Sequence, residues 1–286
     1  MRWKAWNIGS VSLGSVLVIF SLIWLLVWFP YLAKFPADHH KVINFEGMYK
    51  VMNPETRMLD EIPVTVKREQ QATEVQDNVL IINQTVTSTH ALTGIELAQF
   101  GLTEVLGVDR STREYVPGYG DMNRTGQFSF PPEGGKESYS LWIPTAGRPL
   151  EAKFTGEEAF QGLEVFTFKV SKLDLDIGTQ SGTDLPQVLD IVVRLKVEPV
   201  SGVEVYSESL TLMKIIPMPG LKTPFYVSSL RFTDDMIADL VDTAKSSRSM
   251  ILWATVYGFW LGVGLGIILV LVGVVGATRN RPKEMT

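Results

Sequence analysis

Two stretches of this chain carry no charged side chain. The first runs from Ala5 to Ala33. Its apolar centre, Ile8 to Phe29, would make a helix about 33 Å long, enough to cross a hydrocarbon core of roughly 30 Å. A secretory signal peptide has an apolar region of only about 7–15 residues and ends at a small-x-small cleavage site. This run is longer and closes on Trp28, Phe29, Pro30 and Tyr31, an aromatic interface belt. We read it as a retained signal-anchor. The second stretch, Met250 to Thr278, is apolar on every face, which marks a membrane span. It ends in Arg279, Arg281 and Lys283, with Glu284 the only acid.

Between the spans the pattern changes to short alternating runs of β-branched and aromatic residues, separated by Gly, Pro, Asn and Asp. The clearest hairpin is Asp190 to Ile215. Val193, Leu195 and Val197 fall on one face, with Arg194, Lys196 and Glu198 on the other, and Pro199-Val200-Ser201-Gly202 makes the turn. A second hairpin turns at Gln161-Gly162, joining Lys153–Phe160 to Leu163–Leu173. Further strands are expected at Val42–Val51, Ile62–Glu69, Asn78–Thr89, Leu102–Val108, Glu114–Tyr115 and Phe128–Phe130. Pro131-Pro132, Pro217-Met218-Pro219 and Pro224 read as loops. A short helix is expected near Ile95–Gln99. Thr233 is a good N-cap, followed by Asp234 and Asp235 in the first turn and a stripe of Met236, Ile237, Leu240, Val241 and Ala244. No Gly or Pro separates that stripe from the second span, so one continuous helix is expected.

The expected organisation is therefore a tail and first span (1–33), an extracytoplasmic antiparallel β domain (34–232), a juxtamembrane helix (233–249), the second span (250–278) and a basic tail (279–286). The fold class is membrane-anchored and mainly β, the sheet being either a curved half-barrel or a sandwich. Both spans offer small residues four apart: Ser10 and Gly14 in the first; Gly258, Gly262 and Gly266 in the second, with Gly273 and Ala277 further along. Such ridges let helices approach closely. An intramolecular pair and a homodimer through the second span both fit them.

Charge sets the orientation. The chain has 26 Lys+Arg and 31 Asp+Glu; removing the five bases and one acid of the tails leaves −9 between the spans. Short basic tails stay in the cytoplasm, so both termini are expected inside a two-pass plasma-membrane protein. Asn83-Gln84-Thr85 and Asn123-Arg124-Thr125 are glycosylation sequons on the outer side. The acidic balance argues against a nucleic-acid partner. The lack of cysteine excludes disulfides, thiol chemistry and Cys-ligated metals. The spans contain no ionisable residue, unlike proton relays and ion pathways.

Several segments occur together in order: Phe45–Leu59, Val108–Val116, Phe128–Trp142, Lys153–Val170 and Val197–Glu208. In that order and spacing they resemble the PorA-like family of actinobacterial and archaeal envelope proteins. The resemblance implies a span, a β-rich extracytoplasmic domain, a second span and a basic tail. The carrying elements are Asn53-Pro54-Glu55-Thr56, Asp109-Arg110-Ser111-Thr112 and Glu198-Pro199-Val200-Ser201-Gly202, each good turn chemistry by itself. One departure is Ile143-Pro144 after Leu141-Trp142, where the family tends to carry an acid. The family label implies a porin, yet the residues give no transmembrane β-barrel pattern and no polar membrane helix.

Candidate chemistry is sparse. His39 and His40 are adjacent and would point to opposite strand faces, so a juxtamembrane role suits them better than one metal. His90 stands alone. Glu157-Glu158 reads as a solvated turn. Asp174 and Asp176 share a face if extended, but calcium needs more oxygen ligands. With no nucleophile–base pattern, no metal set and no cofactor fingerprint, the expectation is a non-enzyme without cofactor. Phe154, Phe160, Phe166 and Phe168, with Phe225, are candidates for an apolar face binding a lipid. The spacing around Gly156–Val170 resembles curved half-barrels that carry lipids. The competing function is an accessory subunit of an envelope complex, and the third an oligomeric channel.

Overall fold

The computed structural model describes residues 4–32, 34–180 and 182–279. Arg2, Ala33, Arg281, Lys283 and Glu284 lie outside the described residues. The chain divides into two compact units, residues 1–34 with 247–286, and residues 35–246.

The first unit is a helix pair. Helix α1 (Ala5–Ile23) passes through a π-helical turn (Trp24–Trp28) into α2 (Phe29–Leu32). Helical backbone also runs unbroken from Asp234 to Arg279: α3 (Asp234–Leu252), a second π turn (Trp253–Tyr257) and α4 (Gly258–Arg279). Ala5–Trp28 and Asp234–Arg279 both contain a stretch long and apolar enough to cross a membrane.

The second unit is built on one antiparallel sheet, ten-stranded among the described residues and curled as a half-barrel. Its first four strands form a meander: β1 (His40–Met52), β2 (Leu59–Gln76), β3 (Val79–His90) and β4 (Leu102–Asp109). A second meander follows: β5 (Tyr139–Ile143), β6 (Arg148–Phe160), β7 (Leu163–Thr179), β8 (Pro186–Val197), β9 (Glu204–Met218) and β10 (Leu221–Phe232). Strand β10 pairs with β1, giving the order β4-β3-β2-β1-β10-β9-β8-β7-β6-β5. The half-barrel, not the sandwich, is therefore the fold. Single bridges run from edge to edge: Val108 to Tyr115, Glu114 to Gln127, and Gln127 to Leu141.

Three sequence expectations are corrected. Pro217 and Pro224 lie in β9 and β10, not in loops. Proline cannot donate to a ladder, and Pro224 is tolerated because the register shifts between it and Tyr226. Glu114–Tyr115 and Phe128–Phe130 are not strands; the first contributes single bridges, and Phe130 is core. The helix expected near Ile95 is only a 3-10 turn at Ala98–Phe100.

Helix α3 starts as its sequence dictates. The Met236 N–H donates to Thr233 Oγ1 (3.2 Å), and Asp234 and Asp235 occupy the first turn. Its stripe of Ile237, Leu240, Val241 and Ala244 is buried in one cluster with Ile43, Phe45, Val64, Val66 and Phe232. Burying each of the larger side chains contributes about 1.5–3 kcal/mol. A second cluster gathers Phe130, Tyr139, Leu150, Phe168, Leu189, Ile191 and Leu195.

Candidate functional site

The four phenylalanines expected to form an apolar face fall in two clusters. Phe154 and Phe166 meet edge to face at 5.6 Å, and Phe168 packs 4.8 Å from Phe130. Phe168 is buried core, while Phe154 and Phe166 are half-buried beside it. The void beside this group, lined by Phe130, Tyr139, Phe166 and Phe168, is about 10 Å³, room for about one water. Phe160 lies in the other cluster, 6.0 Å from Tyr206, with Lys196 Nζ 4.2 Å above its ring. The register of β6 on β7 shifts between Phe154 and Gly156, which separates Phe160 from Phe154. Phe225 sits in β10.

The more unusual arrangement is polar. On β1, alternation places Lys41 on the same face as Ile43 and Phe45. Cross-strand register then sets Lys41 opposite Gln70, Gln70 opposite Gln84, and Gln84 opposite Glu104. Gln70 Nε2 donates to Gln84 Oε1 (2.7 Å), and Gln84 Nε2 donates to Glu104 Oε2 (2.8 Å). Arg124, 2% exposed, closes the row by donating from Nη2 to Glu104 Oε1 (2.7 Å) and from Nη1 to Asp121. His39 meets Gln70 Oε1 at 3.4 Å. Burial opposes ionisation of Arg124, yet Asp121 and Glu104 outweigh it and raise its pKa.

Next to the row stand cations that lack a carboxylate. Arg68, diagonal to Lys41, places its guanidinium 5.0 Å over Phe45, and its buried Nε has no hydrogen-bond partner. Arg113 donates from Nη1 to the Phe130 carbonyl (3.1 Å) and lies 5.4 Å over Phe35. Burial depresses Lys41; Arg68 and Arg113 push it the same way, and Glu204 opposes them. Burial brings Arg113 down to about 10 and raises Glu204. Burial also lowers His39, beside Lys41 and Arg113.

The sequence carried a signal for these groups that was missed. Ile62, Val64, Val66, Arg68 and Gln70 share one face of β2, so two polar residues interrupt an apolar alternation. Lys41, Gln84 and Glu104 do the same in β1, β3 and β4. Glu198 was placed on the solvent face with Arg194 and Lys196; it is 1% exposed instead. Glu157 and Glu158 lie in β6, not in a turn, and pair with Lys136 and Lys196. Asp174, at positive φ, breaks the alternation with Asp176 and pairs with Lys214 and Lys222. Among the described residues, no group of three or more His, Asp or Glu could hold a metal. His40 pairs with Glu69, and His90 Nδ1 accepts from the Leu92 N–H. Asn83 is exposed within β3, and Asn123 is exposed with its Oδ1 accepting from the Gly118 N–H.

In the helix pair, a Cβ on Gly14 would fall on the Gly266 carbonyl, and one on Gly262 would fall on Ser21 Oγ. Gly258 instead sits against its own helix at Trp253. Ser10 is buried with its Oγ on the Trp6 carbonyl (3.0 Å). The π turns add a contact the sequence did not suggest: Trp24 Nε1 donates to the Ala254 carbonyl (3.1 Å). Beside it is an apolar crevice of about 310 Å³ lined by Phe20, Ser21, Trp24, Trp253, Ala254, Gly258 and Phe259.

A family model described as porin PorA matches residues 8–275, which takes in both helices and the whole sheet. The chain belongs to the porin PorA family. Comparison with curated proteins found no match. The turn motifs that carried the resemblance to PorA-like proteins now have places. Asn53 Oδ1 accepts the Glu55 and Thr56 N–H groups in the β1–β2 hairpin. Asp109 Oδ1 accepts those of Ser111 and Thr112, and the turn ends with Arg113 at φ 61. A positive φ is uncommon outside glycine and needs such support. The motif therefore holds Arg113 beside Phe35, whose backbone N–H and carbonyl bond to Arg110. Glu198 accepts from Val200, Ser201 and Ser201 Oγ, and Gly202 at φ 72 lies so close to the Phe130 and Pro131 carbonyls that a Cβ would meet them at 2.6 Å.

Proposed function

We propose that this PorA-family protein is a non-catalytic envelope protein whose half-barrel lies outside the membrane and binds a lipid or other hydrophobic ligand. The observation that carries the reading is the single-layer sheet. Leu141, Ile143, Phe154, Phe166, Val193 and Met213 stay half-buried around the second cluster, a lining with apolar surface still to cover. The half-barrel domain is taken as 34–232, followed by the juxtamembrane helix 233–249 and the second span 250–278. The charge of the tails supports cytoplasmic termini and a two-pass plasma-membrane topology, with Asn83 and Asn123 then available to glycosylation where that machinery exists.

The second reading, an accessory subunit of an envelope complex, is favoured by the crevice beside Trp24 and Trp253, whose apolar lining suits a partner helix or a second copy. A channel-forming oligomer rests on the family's name. Native mass spectrometry of the full-length protein in a mild detergent, with identification of released small molecules, separates these. One reproducible lipid per chain is expected. Lipid-free protein bound to another chain, or at a defined higher mass, would refute the ligand reading.

A further inference from the structure

The stretch between the spans has nine more acids than bases, and several of its cations are held by two of them each. Arg124 holds Glu104 and Asp121; Lys214 holds Asp174 and Asp190; Arg231 holds Glu46 and Asp234. Lys41, Arg68 and Arg113 break that pattern. Among the described residues none of them makes an ion pair, although all three are half-buried: Lys41 and Arg68 are diagonal neighbours on β1 and β2, and Arg113 lies over Phe35, whose ring is 4.6 Å from that of His39, two residues before Lys41. Glu204 acts on Lys41 and Arg68 through its field and forms an ion pair with neither. Uncompensated charge held out of bulk water is costly unless something neutralises it.

We propose that Lys41, Arg68 and Arg113 form an interior anion site that takes a phosphate group. Two guanidinium forks and one ammonium suit a tetrahedral oxyanion, because arginine bonds phosphate through paired N–H groups and lysine adds a compact charge. Arg68 Nε, buried without a partner, supplies a donor with nothing to donate to. Phe45 and Phe35 lie beneath the two guanidinium groups, and the Asp109 turn positions Arg113. This deepens the ligand reading above, since an anionic lipid headgroup carries such a phosphate; a free phosphate ion carries the same chemistry.

The test uses full-length protein in a neutral detergent with three probes: inorganic phosphate, dioleoyl phosphatidic acid and dioleoylglycerol, measured by titration calorimetry and native mass spectrometry. Phosphate or phosphatidic acid should bind once per chain. Lys41→Met and Arg68→Met should each weaken that binding about tenfold. Glu204→Gln, which removes the competing carboxylate, should tighten it; a misfolded variant would not. Lys67→Met, exposed and paired with Glu69 in the same strand, should change nothing. Phosphatidic acid binding far more tightly than phosphate assigns the site to a lipid headgroup, and equal affinities assign it to the free anion. Phosphate binding with no lipid binding supports the site and removes the lipid reading. Diacylglycerol binding as well as phosphatidic acid, untouched by Lys41→Met and Arg68→Met, overturns the site and leaves the lipid reading standing. The absence of binding by both phosphate probes also overturns the site.

Discussion

Replacing Arg124 with methionine tests whether the polar row supports the half-barrel. Arg124 is 2% exposed and touches Glu104, Asp121 and the Val105 carbonyl, with its guanidinium 5.9 Å from the Trp142 ring. Methionine keeps much of the volume and removes the charge. Glu104, 8% exposed, then keeps only Gln84 as a hydrogen-bond partner. Breaking a buried ion pair from one side typically costs about 3–5 kcal/mol, because the remaining charge is stranded. For a domain of roughly 150–250 residues, each kcal/mol lowers Tm by about 2–4 °C, so the expected loss is about 6–20 °C. The double variant Arg124→Met with Glu104→Gln should recover more than half of it, since no buried charge is left unpaired. Thermal unfolding of the full-length protein in detergent, followed by near-ultraviolet circular dichroism, measures both. A loss below about 2 °C for Arg124→Met, or a double variant as unstable as the sum of the two single ones, would refute the reasoning.

Other expectations concern the helices, a turn and acid. A Cβ built on Gly262 lies 3.5 Å from Ser21 Cβ, within the disulfide range, and the chain has no cysteine of its own. Ser21→Cys with Gly262→Cys should therefore oxidise to a cross-linked monomer on a non-reducing gel; disulfide-linked dimers instead would favour the homodimer. Glu198→Ala removes the acceptor of three hydrogen bonds in the β8–β9 turn and should cost about 1–3 kcal/mol. An unchanged urea midpoint would show that Glu198 does not hold the turn. Burial pushes the Asp109 carboxyl up, but the Thr112 and Ser111 N–H groups and Asn78 outweigh it and hold it below its ordinary value of 3.8. Its stabilisation is thus full above the unfolded-state value and lost as pH falls through the lower folded one. Between about pH 4 and pH 2, Tm should fall more steeply for the native protein than for Asp109→Asn; equal slopes would count against this assignment.

Much of the fold was legible because it rests on period and composition. Uncharged runs of this length have few alternatives to a membrane-crossing helix, and Thr233, Asp234 and Asp235 set the start of α3 through local capping. The strands through Val42, Ile62, Asn78, Leu102, Leu163 and Asp190 showed clean alternation. What escaped had non-local causes. Strand β10 carries Pro224, and only its shifted register against β9 makes that proline acceptable. Strand β5 is five residues long and is fixed by pairing with β6, not by its own pattern. The separation of Phe160 from Phe154 follows from the register shift of β6 on β7 before Gly156, which no residue type announces. The polar row was visible only as scattered exceptions on four strands, and nothing short of the register aligns Lys41, Gln70, Gln84 and Glu104.

That alignment separates scaffold from site on the same face. Gln70, Gln84, Glu104 and Arg124 bond one another in a row, with one of the first three on each of β2, β3 and β4. Sliding any of β2, β3 or β4 by one residue would carry its polar group to the other face and leave its partners buried and unbonded, at about 1–3 kcal/mol for each group. The row thereby specifies register across β2, β3 and β4 where aliphatic side chains alone would discriminate weakly. Lys41, Arg68 and Arg113 lie beyond the point where mutual satisfaction ends, and adding them does nothing for register that the row does not already do. Arg113 bonds the Phe130 carbonyl, and Arg68 and Arg113 lie over Phe45 and Phe35, but none of these contacts brings a negative charge. A ligand that brings its own negative charge would offset the cost of holding three cations there beyond what Glu204 does, and that is why the anion site is placed on them.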